Sequence, residues 1–356
     1  MTIKVAIAGV GNCSSALVQG TFYYRNASEE EEEVPGLLHV NMGGYHPRDI
    51  EFVAAFDVDV TKVGKDLSEA IFARPNNTRK FSDVPRLGVK VQKGPVMDGL
   101  GKYLKGYVDV SEAEPVDVAE ELKTSGAEVV VNYLPVGSEQ AVRWYADQTI
   151  KAGCAFVNCM PVFIASDPAW QKKFAEKGLP VAGDDVMSQI GATVLHKTLA
   201  KLMVDRGVKI TESYQLNIGG DTDFLNMLEE ARLISKRISK TAAVRAMVPY
   251  DVPLRIGPSD YVPFLDNKKI CYVYLRGEYF GGTPVQIDVK LDVWDSPNSG
   301  GVVIDAIRGS KIALDRGVSG PLISPSAFCF KHPPEQMPYE VAKRCFEEFV
   351  EGKRER

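Results

Sequence analysis

The stretch IKVAIAGVGNCSSAL, residues 3–17, decides the fold of this chain. A short apolar run with β-branched residues ends at Gly9-Val10-Gly11, and a helical pattern follows over residues 12–24. Glycines at a strand-to-helix turn let the backbone approach a pyrophosphate, whose charge suits the N-terminus of the helix. The turn therefore predicts a dinucleotide site, although Ser14 replaces the third glycine of the usual fingerprint. The predicted contacts are Gly9, Gly11, Asn12, Cys13 and Ser14.

An acidic residue ends the second predicted strand, residues 51–57. Asp57 can accept hydrogen bonds from ribose hydroxyls and repel a 2′-phosphate, which favours NAD over NADP. An exposed aspartate at a strand end is the competing interpretation. Two later strands end in the sequences NYLP and NCMP, at the edge where ligands bind in such sheets. We therefore add Asn132 to the predicted cofactor contacts, with a simple turn as the alternative.

Strands and helices alternate with short loops between residues 115 and 184. The predicted helices cover residues 115–124, 138–151 and 168–176, and the predicted strands cover residues 128–134, 155–159 and 179–182. Pro115 suits the first turn of its helix, and Gly126 suits the C-terminal cap. This order favours an α/β fold with a Rossmann-like, doubly wound parallel sheet.

Two segments interrupt that pattern. Residues 26–49 form an insertion with five consecutive glutamates at positions 29–33, which predicts a solvated loop. Residues 74–110 are irregular and rich in glycine, proline and charge, with one predicted strand at residues 89–92.

The pattern changes after residue 185. A helix is predicted at residues 190–205 and strands at residues 209–217, 270–278 and 285–293. Partial alternation in the last two strands predicts an antiparallel sheet with one covered face, and so a second α+β domain. Helical patterns at residues 300–315 and 339–350 predict that the chain then returns to the first domain. The predicted division is a nucleotide-binding domain of residues 1–190 plus 300–356 and a second domain of residues 191–299.

Composition excludes several classes of protein. The 356 residues carry a formal net charge of −5, which argues against nucleic acid or an anionic membrane as the main partner. Six scattered cysteines contain no CxxC pair, so we expect reduced thiols rather than a zinc site or a disulfide framework. No signal peptide and no spanning segment are recognisable, which predicts a cytoplasmic protein.

Polar groups are concentrated between residues 217 and 240. The sequence NIGGDTDFLNM is followed by SKRISK, in which Lys236 and Lys240 would share one face of a helix. Like charges at this spacing destabilise a helix by roughly 0.2–0.5 kcal/mol, and a solvated basic face is the simplest interpretation. Because a Gly-Gly-Asp turn and carboxylates accompany the lysines, we instead expect a site for an anionic, hydroxyl-rich ligand.

Several segments together resemble the inositol-1-phosphate synthase family (myo-inositol-3-phosphate synthases) in its compact prokaryotic form. The resemblance covers nearly the whole chain, from the GVGN turn to FKHPPEQ near the C-terminus. Its motifs are GDDVMSQIGAT (183–193), NIGGDTDFLNM (217–227), SKRISK (235–240), IGPSDYV (256–262) and WDSPNSGG (294–301).

The resemblance implies an isomerase that converts D-glucose 6-phosphate to myo-inositol 1(3)-phosphate. In that family NAD+ takes hydride from C5, the ketone acidifies the C6 protons, and an internal aldol addition onto C1 closes the ring. The hydride then returns to C5. The resemblance also implies a homotetramer built through the sheet of the second domain, which is the catalytic domain. The activating cation stays open between a divalent metal, ammonium and potassium.

Four lysines carry this chemistry in the family. They stabilise the phosphate and the charge that develops on O5 and then O1. The matching positions are Lys236, Lys240, Lys269 and Lys331. Lys268 competes with Lys269 for the third position. We expect Lys236 and Lys269 near O5, Lys240 near the phosphate and Lys331 near O1.

The resemblance extends to acidic and amide side chains. It implies that Asp223 and Asn226 belong to the catalytic group, and it leaves the role of Asp221 open because eukaryotic relatives have asparagine there. The further cofactor contacts that it implies are Asp184, Asp185, Asp295 and Ser296. His196 lies on a helix rich in alanine and leucine, and we interpret it as a core residue.

Two other functions compete with this interpretation. An ordinary NAD-dependent dehydrogenase of a small phosphorylated substrate would accumulate NADH, whereas the synthase reaction shows no net change at 340 nm. A dinucleotide-binding sensor would not require the lysines. Neither alternative explains four lysines in family positions.

Overall fold

The structure is a computed structural model that describes residues 1–30 and 34–356. Residues 31–33, most of the glutamate run predicted as a solvated loop, lie outside the described residues. Among the described residues two sheets form, one of seven strands and one of four.

All seven strands of the larger sheet are parallel. They are β1 (Ile3–Ala8), β2 (Ile50–Asp57), β3 (Val91–Lys93), β4 (Val129–Asn132), β5 (Ala155–Asn158), β6 (Pro180–Gly183) and β11 (Gly320–Pro321). Their order is β11-β6-β5-β4-β1-β2-β3, which reverses direction between β1 and β4. This confirms the predicted Rossmann-like sheet, in which ligands bind at the carboxyl ends of the strands beside such a reversal.

Helices cover both faces of this sheet, because alternate residues of its strands point to opposite sides. The helices are α1 (Asn12–Tyr23), α2 (Leu67–Ala70), α3 (Val118–Thr124), α4 (Glu139–Ala152), α5 (Pro168–Glu176) and α9 (Pro297–Asp315). Val5 and Ile7 face a core that contains residues of α1 and α9, whereas Ala6 and Ala8 face a core with residues of α3, α4 and α5. Near-continuous burial of β4 and β5 follows from this two-sided cover.

The smaller sheet has the order β10-β9-β7-β8. Its strands are β7 (Lys209–Gly219), β8 (Leu254–Tyr261), β9 (Lys268–Tyr279) and β10 (Thr283–Trp294), and the connecting helices are α6 (Ala192–Asp205), α7 (Thr222–Asn226) and α8 (Ile234–Arg245). Helices α6 and α8 pack on one face, where Ala200, Val244 and Leu275 belong to one buried cluster. The other face carries half-exposed side chains.

The last part of the chain packs on the larger sheet. Helix α9 contacts α1 and strands β4, β5 and β6, and β11 extends the sheet beside β6. Two further helices, α10 (Ile323–Cys329) and α11 (Tyr339–Val350), pack on each other, and α10 also contacts β6 and α9.

The structure corrects several details of the sequence prediction. The smaller sheet is mixed rather than antiparallel, because β8 pairs parallel to β7. Strand β8 contains Gly257 and Pro258, which break the alternation that identifies strands. Helix α3 begins at Val118 rather than at residue 115, because the carboxylate of Asp117 accepts a hydrogen bond from the backbone N–H of Glu120 and caps the helix there.

Candidate active site

One pocket joins the two sheets. It lies at the carboxyl ends of strands β1, β2, β5 and β6 and is bounded on the opposite side by α7, α8 and the start of β9. Its lining includes the following predicted residues: Gly9, Gly11, Asn12, Cys13, Asp57, Asp185, Asp223, Asn226, Lys236, Lys269, Asp295, Ser296 and Lys331. The structure therefore brings most of the predicted cofactor and catalytic positions to a single cavity.

The glycine turn after β1 has two glycines with different surroundings. Gly9 has φ +93°, and a Cβ there would lie 2.7 Å from the carbonyl oxygen of Tyr133. A Cβ on Gly11 would meet no atom within 4 Å, so the space beside Gly11 is open. No side chain caps the N-terminus of α1, which leaves its first amide groups available to an anion. Ser14 is buried and its hydroxyl donates to the carbonyl of Gly9, inside the turn rather than in the pocket.

A neighbouring segment supports this turn. The side-chain oxygen of Asn12 accepts hydrogen bonds from the backbone N–H groups of Asn77 and Thr78, at 2.8 and 3.0 Å. Asn76 in turn donates from its amide to the carbonyl of Val10 at 3.1 Å. Asn12 therefore lines the pocket and also fastens residues 76–78 to the turn.

Asp57 lies at the end of β2, beside the same turn. Its Oδ2 accepts a hydrogen bond of 2.7 Å from the backbone N–H of Val10. Its Oδ1 accepts hydrogen bonds of 2.7 and 2.9 Å from the N–H groups of Val58 and Asp59. The carboxylate is therefore fixed against the glycine turn at the position from which an acidic residue meets the ribose in such folds.

Three of the four predicted catalytic lysines form close ion pairs with carboxylates of the pocket. The Nζ–O distances are 2.6 Å for Lys236–Asp223, 3.1 Å for Lys269–Asp295 and 2.9 Å for Lys331–Asp185. The paired groups come from six different parts of the chain, between the end of β6 and the segment after α10. The sequence motifs that carried the resemblance therefore meet in space as acid–base pairs.

Ion pairing shifts the pKa of Lys236 and that of Asp295 toward their charged forms. Burial disfavours the ammonium of Lys236, but the carboxylates of Asp223 and Asp185 outweigh it and raise the pKa of Lys236. Burial likewise favours protonated Asp295, yet the ammonium of Lys269 holds the pKa of that carboxyl below its ordinary value. Partial burial makes such pairs stronger than ion pairs at the surface.

Lys240 has a different environment from Lys236, although both belong to α8. Its residue is 3% exposed, and among residues 1–30 and 34–356 no carboxylate lies within ion-pairing distance of its ammonium. Burial and then the positive charges of Lys269, Lys236 and Lys331 lower its pKa well below the ordinary value. An anion bound beside Lys240 would favour the charged ammonium and so raise the pKa of this lysine again.

The structure separates the two candidates for the third lysine. Lys269 lines the pocket, whereas the ammonium of Lys268 lies 5.9 Å from the centre of the Trp294 ring. Successive residues of a strand point to opposite faces, and both residues belong to β9. Lys269 is thus the one that belongs to the pocket.

Asp184 and Asp185 also point in different directions. The carboxylate of Asp184 is fully buried and accepts hydrogen bonds from Asn158 and from the backbone N–H groups of residues 164–166. It does not line the pocket, so the structure corrects its place among the cofactor contacts: it holds the loop after β5. Asp185 faces the pocket and binds Lys331 together with the hydroxyl of Ser239, which donates at 2.6 Å.

Asn132 is likewise turned away from the pocket. Its amide donates to Asn158 at 2.8 Å, and its oxygen accepts from the N–H of Leu134. It is fully buried and does not line the cavity, which departs from the predicted cofactor contact. Neighbouring Tyr133 and Leu134 line the pocket instead, because the chain leaves the sheet immediately after Asn132.

Asp221 and Ser296 meet through a residue that sequence reasoning missed. The amide of Asn267 donates to Asp221 at 2.8 Å and to the hydroxyl of Ser296 at 3.0 Å. The Asn267 oxygen accepts from the N–H of Ser296 and from the hydroxyl of Thr78. Burial and then the charges of Asp223 and Asp295 raise the pKa of Asp221 to about 7.

Two further predicted residues complete the wall. Asn226 is buried, its amide donates to the carbonyl of Val136 at 2.8 Å, and its side-chain oxygen has no partner among the described residues. The thiol of Cys13 lies 3.8 Å from the hydroxyl of Ser296, and burial followed by the charge of Asp295 raises the pKa of that thiol to about 12. Cys13 therefore stays a thiol, and the Asn226 oxygen is available to a ligand hydroxyl.

The segment at residues 95–108 was predicted only as irregular chain, yet Leu100 and Leu104 line the pocket. Arg232 donates to the carbonyl groups of Asp98 and Gly99 at 2.8 and 3.0 Å, which ties the segment to the region before α8. The only sequence signal was the density of glycine and proline there.

The described residues contain no group of three or more His, Cys, Asp or Glu side chains arranged for a metal ion. His196 is a core residue, as predicted: its ring is fully buried and contacts Gln215 and Ser213 at 3.3 and 2.8 Å. No helix in the described part of the chain is long and apolar enough to cross a membrane.

Comparison with known proteins identifies relatives. A family model described as myo-inositol-1-phosphate synthase matches residues 191–296. The chain is 56% identical to an inositol-3-phosphate synthase of Mycolicibacterium smegmatis, with 98% of each chain covered. It is 54% identical to that of Corynebacterium glutamicum, also with 98% of each covered. The crystal structure of a myo-inositol-1-phosphate synthase-related protein from Thermotoga maritima is 26% identical, with a TM-score of 0.79 and 99% of each chain covered.

Proposed function

The chain belongs to the myo-inositol-1-phosphate synthase family, and from that premise we propose how its pocket performs the family's isomerisation of D-glucose 6-phosphate to an inositol phosphate. The single observation that carries the proposal is the arrangement of four lysines. Lys236, Lys269 and Lys331 line the pocket and are paired with its carboxylates. Lys240 is not among the lining residues, but the charges of these three lysines act on its ammonium, which has no carboxylate partner among the described residues.

The phosphate of the substrate is the anion that Lys240 lacks. A phosphate monoester is close to dianionic at neutral pH. When it lies beside Lys240, its charge offsets both the burial of the ammonium and the repulsion by Lys236, Lys269 and Lys331. Phosphate binding would therefore return the pKa of Lys240 toward its ordinary value and fix the sugar in one orientation.

The paired lysines act on the reacting oxygens. We place Lys236 and Lys269 beside O5, where their ammonium groups stabilise negative charge as the hydroxyl proton passes to the carboxylate of Asp223, the partner of Lys236. Lys331 lies beside O1, stabilises the alkoxide formed by ring closure and supplies it with a proton. Each ammonium keeps its carboxylate partner, so the pocket can move a proton without leaving an isolated charge.

Bound NAD would supply hydride transfer, away from C5 at the start of the reaction and back to C5 at its end. The residues that fit it are those of the glycine turn. The space beside Gly11 is open, the N-terminus of α1 is uncapped, and Asp57 is fixed next to the turn. Asp185, Asp295 and Ser296 line the pocket between this turn and the lysines, and we propose that they hold the nicotinamide end.

A labelling experiment tests the reaction. Purified protein would be given NAD+ and glucose 6-phosphate deuterated at C5, and the inositol phosphate would be isolated. We expect the deuterium to be retained at the same carbon, with no net change in absorbance at 340 nm. Accumulation of deuterated NADH without inositol phosphate would instead support an ordinary dehydrogenase.

The assembly and the domain division belong to the same proposal. We propose a homotetramer that forms through the outer face of the smaller sheet, where Tyr214, Leu216 and Tyr272 are each about two-fifths exposed.

Residues 1–190 with 300–356 would form the nucleotide-binding domain, and residues 191–299 the catalytic domain. We also propose a cytoplasmic location, which the six free cysteines support because oxidising compartments favour disulfides. The identity of an activating cation, divalent or monovalent, stays a prediction.

A further inference from the structure

Three charged side chains of the pocket lie at the end of β2 or shortly after it. Asp57, Asp59 and Lys62 all line the cavity. Only Asp57 was predicted as a cofactor contact. Asp59 is 1% exposed and Lys62 is 5% exposed, so neither is an ordinary surface charge.

The ammonium of Lys62 is incompletely paired. Its closest carboxylate oxygen is Oδ2 of Asp57, at 3.8 Å, which is too long for a hydrogen bond. In the part of the chain that the structure describes, no acceptor lies within hydrogen-bonding distance of this ammonium. Because Lys62 lines the cavity, a ligand bound there can supply the acceptor that the described residues do not.

Asp59 is also incompletely paired, although its charge is negative. Its Oδ1 accepts a hydrogen bond of 2.8 Å from the backbone N–H of Thr61. Its Oδ2 is buried and has no partner among the described residues. One unused acceptor and one unused donor group therefore belong to side chains that line the same cavity, and a neutral ligand that both donates and accepts suits such a pair.

We propose that Lys62 is a cofactor-binding residue that donates to the adenosine ribose hydroxyls, and that the Asp57–Lys62 pair sets the preference for NAD over NADP. This inference rests on the proposed binding of NAD. Two carboxylates and one ammonium give this end of the pocket a net negative charge, which repels a 2′-phosphate. Removal of the Asp57 charge would leave Lys62 beside the 2′ position, where it can bind a phosphate. The NAD site thus contains a latent NADP site that Asp57 suppresses.

Direct binding tests this inference without turnover. Dissociation constants for NAD+ and NADP+ would be measured by calorimetry for the wild type, Asp57→Asn, Lys62→Met and the double variant. Asparagine keeps one of the two oxygens that accept from backbone N–H groups, and methionine keeps most of the buried lysine stem. Lys65→Met is the matched control, because Lys65 lies in the same segment with its side chain exposed. Thermal unfolding of each variant checks that it folds.

We expect Lys62→Met to weaken NAD+ binding roughly tenfold, the effect of losing one charge-assisted hydrogen bond. Asp57→Asn should improve NADP+ binding at least about tenfold relative to NAD+, and the double variant should lose that gain. Lys62→Arg should retain NAD+ binding if Lys62→Met fails to fold. Wild-type affinity in Lys62→Met, or an equal NADP+ gain in the double variant, would overturn the inference. Failure of the wild type to bind NAD+ would instead contradict the proposed function.

Discussion

The ammonium of Lys331 lies 2.9 Å from Oδ1 of Asp185, and the backbone N–H of Lys331 donates to the carbonyl of Asp185 at 2.7 Å. The lysine is therefore fixed by both its main chain and its side chain. Asp185 itself follows the end of β6 with φ +63°, a conformation that turns its side chain into the pocket. One ion pair of the pocket is thus formed between the segment after β6, which carries Asp185, and the C-terminal segment, which carries Lys331.

Replacement of Lys331 or Lys236 by methionine should abolish the formation of inositol phosphate and leave NAD+ binding intact. The charge removed acts on oxyanions of the reaction rather than on the cofactor, so turnover should fall by at least about 100-fold. Product would be followed by a phosphate-specific assay and binding by NADH fluorescence. Lys268→Met is the matched control, because Lys268 lies next to Lys269 but faces Trp294. Substantial product from the Lys331 or Lys236 variants would contradict the assigned roles.

Lys240→Met should stabilise the protein while it destroys activity. The folded state lowers the pKa of Lys240, so the unfolded chain binds more protons between the folded pKa and the usual lysine value. Stability is therefore reduced at neutral pH and recovers as pH rises through that window. Urea unfolding at pH 7 should show a gain of roughly 1–4 kcal/mol in the variant. The gain should shrink toward pH 10, and a variant less stable than the wild type at pH 7 would refute the prediction.

Two glycine variants should separate folding from cofactor binding. Gly9→Ala places a Cβ 2.7 Å from the Tyr133 carbonyl at φ +93°, so it should lower both stability and NAD+ affinity. Gly11→Ala meets no protein atom and should keep its unfolding temperature, yet its methyl group occupies the space proposed for the pyrophosphate. Thermal unfolding and NAD+ titration measure the two effects. Unchanged NAD+ affinity in Gly11→Ala would place the pyrophosphate elsewhere.

Asp221→Asn should flatten the dependence of stability on pH. The folded state raises the pKa of Asp221 to about 7, so the folded chain holds a proton that the unfolded chain has released. This contribution is complete below pH 4 and is lost as pH rises to 7, with a slope of up to about 1.4 kcal/mol per pH unit. Unfolding free energies at pH 5 and pH 8 should differ less in the variant than in the wild type. Asp184, whose pKa burial raises to about 6, contributes equally to both proteins.

Charged substitutions on the smaller sheet should dissociate the assembly. Leu216 and Tyr272 are cross-strand neighbours on its outer face, and Tyr214 stacks on Tyr274 beside them with ring centres 4.8 Å apart. Leu216→Glu or Tyr272→Glu would bury a carboxylate if that face is an interface. Light scattering should then show a smaller species than the wild type. Lys151→Glu, at an exposed position of α4 on the larger sheet, changes charge away from this face and serves as the control.

Local sequence patterns predicted the parallel sheet, because each strand and helix has its own periodicity and each loop its own turn residues. The glycine turn was predictable for the same reason. The different environments of Lys236 and Lys240 were not predictable. Their spacing places both on one helix face, but it does not show which carboxylates from α7 and the segment after β6 lie beside each lysine. Their charges depend on segments that meet only in the folded chain.

Asn267 illustrates what sequence reasoning could not reach. Its side chain joins Asp221, Ser296 and Thr78, which are 46, 29 and 189 residues away along the chain. Nothing in the residues around Asn267 marks it as different from a polar turn residue. Asp184 is the opposite case. Its motif suggested a ligand contact, but its carboxylate accepts hydrogen bonds from backbone N–H groups of the loop after β5.

Lys331 follows the other charged groups of the pocket along the chain, which has a consequence for synthesis of the protein in the cell. A ribosome has already made the glycine turn, α8 and β9 when this lysine is still unmade. A chain interrupted or cut before Lys331 therefore lacks the group that binds Asp185. We expect such a chain to form no inositol phosphate, whatever part of the pocket it retains.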